Sequence, residues 1–213
     1  MADAHTLITY SLLITYTMQY PDGTVRALLK TGQVTDATRK ALTERLTAPP
    51  HQPGFFSETE FALLQTICDR LIPQDNRPER IDIAGSIDKR LSQNKSDGWR
   101  YDTMPPDGDA YKSGLAGVDQ TAQLLFHQPF KQLDPNQQDD VLKAIQQAEA
   151  PGEIWQKIPA NRFFEELLVE ATSGYYSHPL AQEEIGYVGM ADVPTWQRIE
   201  LNQLEEREPR EQN

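Results

Sequence analysis

Between residues 55 and 174 the apolar side chains recur at intervals of three and four, and this spacing constrains the fold more than any other feature of the sequence. Such a period places side chains on one face of a helix, and that face must be buried. Five stretches carry it. Phe61, Leu64, Ile67, Cys68 and Leu71 form the first, and Ile83, Ala84, Ile87 and Leu91 the second. Tyr111, Leu115, Val118, Ala122 and Leu125 form the third despite Gly114 and Gly117, which suit close helix packing. Val141, Leu142 and Ile145 form the fourth, and Ala160, Phe163, Phe164, Leu167, Leu168 and Ala171 the fifth and cleanest. Four or five helices on one core follow.

Punctuation supports these helices. Ser57 and Glu60 have capping-box spacing, with Phe56 and Phe61 placed to staple across the cap, and Pro73 stops the helix. Asp134-Pro135-Asn136-Gln137 supplies an N-cap, a proline at the first helical position and a capping-box glutamine. Pro78 is read as a second such start, and Gly174 as a left-handed C-cap closing the last helix. The stretch 92–109 holds Trp99, Tyr101, Met104, Pro105 and Pro106 without a regular pattern. Loops of that length usually carry a function or lack order, and its aromatic residues either dock a partner or cover the domain's own core.

Before residue 55 the pattern changes. Ile8, Tyr10, Leu12, Ile14, Tyr16, Met18 and Tyr20 alternate with mostly polar residues, which suggests a strand; Leu12, Leu13 and Tyr16 also suit a helical face. Pro21-Asp22-Gly23 is a turn signal, so residues 24–29 are a candidate returning arm of a hairpin. A short helix follows over Asp36–Leu46. Three prolines and a glycine within residues 48–54 make that segment a linker. The expected organisation is an N-terminal extension over 1–47, the linker 48–54, a helical domain over 55–190, and a C-terminal docking segment with a flexible acidic tail over 191–213. In that last segment Trp196 and Ile199 are candidates to dock a helical piece. The fold class is mainly α: a compact multi-helix domain with long irregular loops and a candidate N-terminal β-hairpin.

Composition excludes several functions. A net charge of −12 at a pI near 4.7 disfavours nucleic acid, because no cluster of Lys and Arg offsets the repulsion. Runs such as Asp88-Lys89-Arg90 are read as solvated helix surface. Cys68 is the only cysteine, which removes an internal disulfide, a thiolate zinc site, an iron–sulfur cluster and Cys-x-x-Cys-His haem attachment. Its place in an apolar row marks it as a small buried hydrophobe. His5, His51, His127 and His178 are far apart, none at ligand spacing with another His or Cys; His127, beside Pro129, belongs at a helix end. No Gly-x-Ser-x-Gly elbow, dinucleotide fingerprint or Glu-x-x-His pair occurs. No catalytic, cofactor-binding or metal residue is therefore assigned. The apolar run 7–20 is preceded by Asp3, contains Thr, Ser and Gln, and has no Lys or Arg before Arg26. It is read as neither an export signal nor a membrane span, so the chain as written is expected in the cytoplasm, or in the periplasm if exported with a partner.

The order of the segments carries a resemblance. Gly54-Phe55-Phe56-Ser57-Glu58-Thr59-Glu60 with Leu64, then Cys68-Asp69-Arg70-Leu71-Ile72-Pro73-Gln74-Asp75, resembles the opening signature of the gluconate 2-dehydrogenase subunit 3 family. Ile83-Ala84-Gly85-Ser86-Ile87-Asp88, Tyr111-Lys112-Ser113-Gly114-Leu115, Val118-Asp119, Phe126 to Phe130, Phe163-Phe164 and Gly174-Tyr175-Tyr176-Ser177-His178-Pro179 extend it over residues 54–189. The resemblance implies a non-catalytic small subunit. It would pair with a large FAD-binding subunit of the glucose-methanol-choline type that oxidises a sugar, glycoside or sugar acid, and with a cytochrome c subunit in some complexes. It also implies help with the partner's folding, cofactor acquisition or export. Two departures stand out: no Arg-Arg pair precedes the domain, and Leu180-Ala181 follows Pro179 where members often carry Gly-Gly. A free-standing helical module with another client is the alternative. Tyr, Trp and Arg most often anchor interfaces. The candidate contact residues are therefore Arg70, Asp75 and Arg77 near the first helix end, Trp99 and Tyr101 in the long loop, and Tyr175, Tyr176 and His178 after the last clean helix.

Overall fold

A computed structural model describes residues 24–75, 77–96, 102–189, 192, 201–205 and 208. Among them the elements are α1 (Thr24–Leu28), α2 (Asp36–Leu46), α3 (Glu58–Leu71), α4 (Ile83–Ser92), α5 (Asp107–Phe126), α6 (Pro135–Gln146), α7 (Ala160–Tyr176) and α8 (Pro179–Glu184). Short 3₁₀ turns at Phe130–Gln132 and Ile154–Gln156 flank α6. No strand occurs among the described residues, and none of their helices is long and apolar enough to cross a membrane. The first arm of the candidate hairpin lies outside the described residues; where its second arm was placed, Thr24–Leu28 is helical. The chain divides into two units, residues 48–176 and residues 1–47 with 177–213. The break falls after Tyr176, not near residue 190, because 177–189 pack with the N-terminal helices.

In residues 48–176 the sequence periodicity becomes one core. Leu64 and Ile67 of α3, Ile87 of α4, Leu115 and Val118 of α5, Val141 and Ile145 of α6, and Phe163 and Leu167 of α7 are all buried. Burying each such side chain contributes about 1.5–3 kcal/mol. Leu125, assigned to the inner stripe of α5, is exposed, because that helix leaves the core in its last turn. Both expected capping boxes form: Ser57 with Glu60 starts α3, and Asp134 with Gln137 starts α6. His127 caps the end of α5 with φ 58.

Two local expectations are overturned by contacts made from outside the expected helix. Pro78 does not begin a helix. The buried Gln74 amide brackets Ile81, accepting from its N–H at 2.8 Å and donating to its carbonyl at 3.0 Å, so the helix starts only at Ile83, capped by Asp82. Gly174 is not a left-handed C-cap either, for α7 continues through it to Tyr176. A Cβ there would lie 2.9 Å from Ser86 Oγ of α4, so this glycine serves helix–helix approach.

Gly114 shows the same effect more strongly. A Cβ on it would sit 2.1 Å from the Phe163 ring, which is itself flanked by Tyr111 and Trp155 at centroid distances of 6.0 Å. Alanine gains about 1 kcal/mol of helix propensity, but overpacking a filled core costs about 1–3 kcal/mol. Because Phe163 has neighbours on both sides, the clash wins: Gly114→Ala is expected to lower the thermal midpoint in a calorimetric scan.

The other unit has a smaller core. Val25, Leu28, Leu29, Val34, Leu42 and Val188 cluster, with Leu46 against them. Thr35 caps α2, His178 caps α8, and Gly186 at φ 62 turns the chain after α8.

Candidate partner-docking face

Arg77, Tyr175 and Tyr176 come together at the end of α7. The Gln74–Ile81 bracket shapes the segment after α3, and the Arg77 guanidinium lies 5.4 Å over the Tyr175 ring, within cation–π range. Tyr175 meets Tyr176 edge to face with centroids 5.0 Å apart. Tyr175 is buried, whereas Tyr176 is 44% exposed and Val169, two turns earlier on the same helix, is 65% exposed. The geometry is an outward aromatic side chain on a buried aromatic base, with an aliphatic neighbour seven residues back on the same helical face.

The other candidates are placed differently. Arg70 grips Asp139 of α6 through two bonds, Nε to Oδ1 at 2.9 Å and Nη2 to Oδ2 at 2.6 Å. That hydrogen bonding holds the guanidinium's pKa above its ordinary value, so Arg70 bridges α3 and α6. Asp75 is exposed after α3. Trp99 and Tyr101, with Trp196 and Ile199, lie outside the described residues. His178 belongs to the other unit, where its Nδ1 accepts from the Leu180 N–H at 3.3 Å and its Nε2 faces the Arg45 carbonyl at 3.1 Å. The tautomer protonated at Nε2 satisfies both bonds.

Two polar assemblies escaped the sequence reading, and both correct the assignment of Asp88-Lys89-Arg90 to solvated surface. The Asp88 side chain has no exposed area. It accepts from the backbone N–H of Gly54 at 2.7 Å, of Phe55 at 3.1 Å and of Phe56 at 2.9 Å, and from His51 Nε2 at 2.7 Å. Burial pushes its carboxyl up, but the amides and His51 outweigh burial and hold it below the ordinary range. Thus the proline-rich linker is pinned to α4. The signal was the spacing Ala84, Ile87, Asp88, Leu91, which puts the acid inside an apolar stripe.

Arg90 joins three helices. Its Nε and Nη2 hold both oxygens of Glu170 on α7, at 2.5 and 2.7 Å. Its Nη1 reaches Asp107 Oδ2 of α5 at 2.6 Å and the Lys95 carbonyl at 2.7 Å. The hydroxyl of buried Tyr111 donates to Glu170 as well; burial first, then this carboxylate, pushes the phenol pKa up. Arg90 therefore clasps positions 95 and 107 to the core. Cys68 is buried, and burial pushes its thiol up, away from the reactive thiolate. Among the described residues no three His, Cys, Asp or Glu side chains converge as a metal site.

Fold and contacts define a mainly helical protein whose buried polar side chains join its own segments. The chain belongs to the gluconate 2-dehydrogenase subunit 3 family, which matches residues 58–193. Membership implies association with a dehydrogenase complex as an accessory subunit. No curated protein sequence and no solved structure matches the chain.

Proposed function

We propose that this chain is the non-catalytic small subunit of an FAD-dependent carbohydrate dehydrogenase, oxidising a sugar, glycoside or sugar acid at a CH–OH group. It binds a large glucose-methanol-choline type subunit and stabilises or matures it. That partner holds the FAD and the substrate; a cytochrome c subunit is an optional third component, and the final compartment follows the partner. The family match over 58–193 carries this reading. Tyr176 supports it: an exposed tyrosine held by a buried one, itself under Arg77, has the residue types and rigidity of an interface anchor. Asp75, Trp99 and Tyr101 remain contact candidates on the same reading.

Turnover tests it. The purified chain is expected to oxidise no sugar with an artificial electron acceptor, whereas its complex with the large subunit does. Tyr176→Ala is expected to weaken capture of the large subunit by about thirtyfold, the equivalent of a hot-spot loss near 2 kcal/mol, while losing only the Tyr175 ring contact, about 0.5–1.5 kcal/mol, from the chain's own stability. Turnover by the chain alone contradicts the proposal.

A further inference from the structure

The family match runs to residue 193, yet in its final stretch residues 177–189 and Asp192 are held by residues that the match leaves out. Four contacts make the hold. Glu183, whose side chain is 3% exposed, accepts three bonds from one residue: the Arg26 backbone N–H at 3.0 Å, Nε at 3.1 Å and Nη2 at 2.9 Å. Asp192 accepts from the Thr35 N–H at 2.7 Å, Thr35 Oγ1 at 2.7 Å and Thr38 Oγ1 at 2.9 Å, bracing the start of α2. Arg45 donates to the Ser177 carbonyl at 2.6 Å, while His178 Nε2 faces the Arg45 carbonyl. Val188 completes the apolar cluster of Val25, Leu28, Leu29, Val34 and Leu42.

Neither side of this assembly is built to stand alone. α8 has six residues and α1 has five, well below the roughly 12–15 at which an isolated helix becomes even marginal in water. Each supplies what the other lacks: residues 24–47 bring all of the clustered apolar side chains but Val188, and the C-terminal segment brings the two carboxylates, Glu183 and Asp192, that gather their polar groups. Residues 48–176 carry a separate core.

We infer that residues 24–47 are an intramolecular strap that orders the family's C-terminal segment, so that 24–47 and 177–192 form and open together while α3–α7 stay folded. Arg26 is its central positioning residue, and His178 acts within the strap. This goes beyond the proposed function and stands whether or not a dehydrogenase is the partner.

Hydrogen exchange on the full chain tests it. Arg26→Glu places a carboxylate against Glu183. Amides of 24–47 and 179–189 are expected to exchange about tenfold faster, the change that follows from losing about 1.4 kcal/mol of local opening free energy, with peptides of α3–α7 unchanged. The exchanged pair Arg26→Glu with Glu183→Arg is expected to recover part of that protection. Asp192→Asn is a milder second probe, and its effect is expected at α2, far from it in sequence. Unchanged exchange at 179–189 in Arg26→Glu overturns the strap, and so does an equal rise across α3–α7.

Discussion

Asp88→Ala is expected to destabilise residues 48–176 by about 3–5 kcal/mol, the range for removing one partner of a buried charged assembly. The size follows from what is left behind. The amides of Gly54, Phe55 and Phe56 and the ring of His51 all point at this carboxylate, and alanine removes their acceptor, leaving the buried Phe56 amide unpaired. The linker would then detach from α4, although the Ser57 capping box remains. Denaturant unfolding followed by circular dichroism measures the loss. A shift under 1 kcal/mol contradicts the assignment, being the scale of a surface substitution.

The same carboxyl sets a pH dependence. Its folded pKa lies below its ordinary value, so its contribution is full above that ordinary value, near 3.9. It is lost as pH falls through the lower folded value, because protonation then removes the charge that the amides gather around. The stability gap between wild type and Asp88→Asn is therefore expected to be constant near neutrality and to narrow on acidification below about pH 4.

Arg90→Ala is the second large effect, expected at about 2–4 kcal/mol, scaled down from the fully buried case because Arg90 and Glu170 each keep 21% exposure. Lysine is not expected to rescue it. One ammonium cannot hold both oxygens of Glu170 while reaching Asp107 and the Lys95 carbonyl. A double-mutant cycle between Arg90 and Glu170 is expected to show coupling above about 1 kcal/mol, whereas Tyr111→Phe, which removes a single hydrogen bond, costs less. Additive single effects contradict the clasp.

What the sequence made legible is what neighbouring residues decide. The starts of α3 and α6 were readable because Ser57 with Glu60, and Asp134 with Gln137, complete their bonds within three residues. The buried stripes of α3, α5 and α7 were readable because a period needs no distant partner. Most of the failures involve long reach. Asp88 takes its donors from more than 30 positions away, and Arg90 meets Glu170 across 80, so both passed for solvated charges. Gly174 carries the composition of a C-cap, but Ser86 decides its role. Pro78 was a plausible first helical residue until Gln74 bracketed Ile81. Residue type alone pointed to Arg77, Tyr175 and Tyr176 as candidate contacts, and the fold brings them together. Arg70 looked the same in sequence and is engaged with Asp139.

We propose that this chain holds a flavin-bearing dehydrogenase subunit and leaves the chemistry to it. A tagged pull-down from the native host, with an absorbance spectrum of the eluate, decides this. A yellow eluate is expected, in which a larger polypeptide accompanies the chain and carries FAD. A colourless, stable monomer eluting by itself would contradict it.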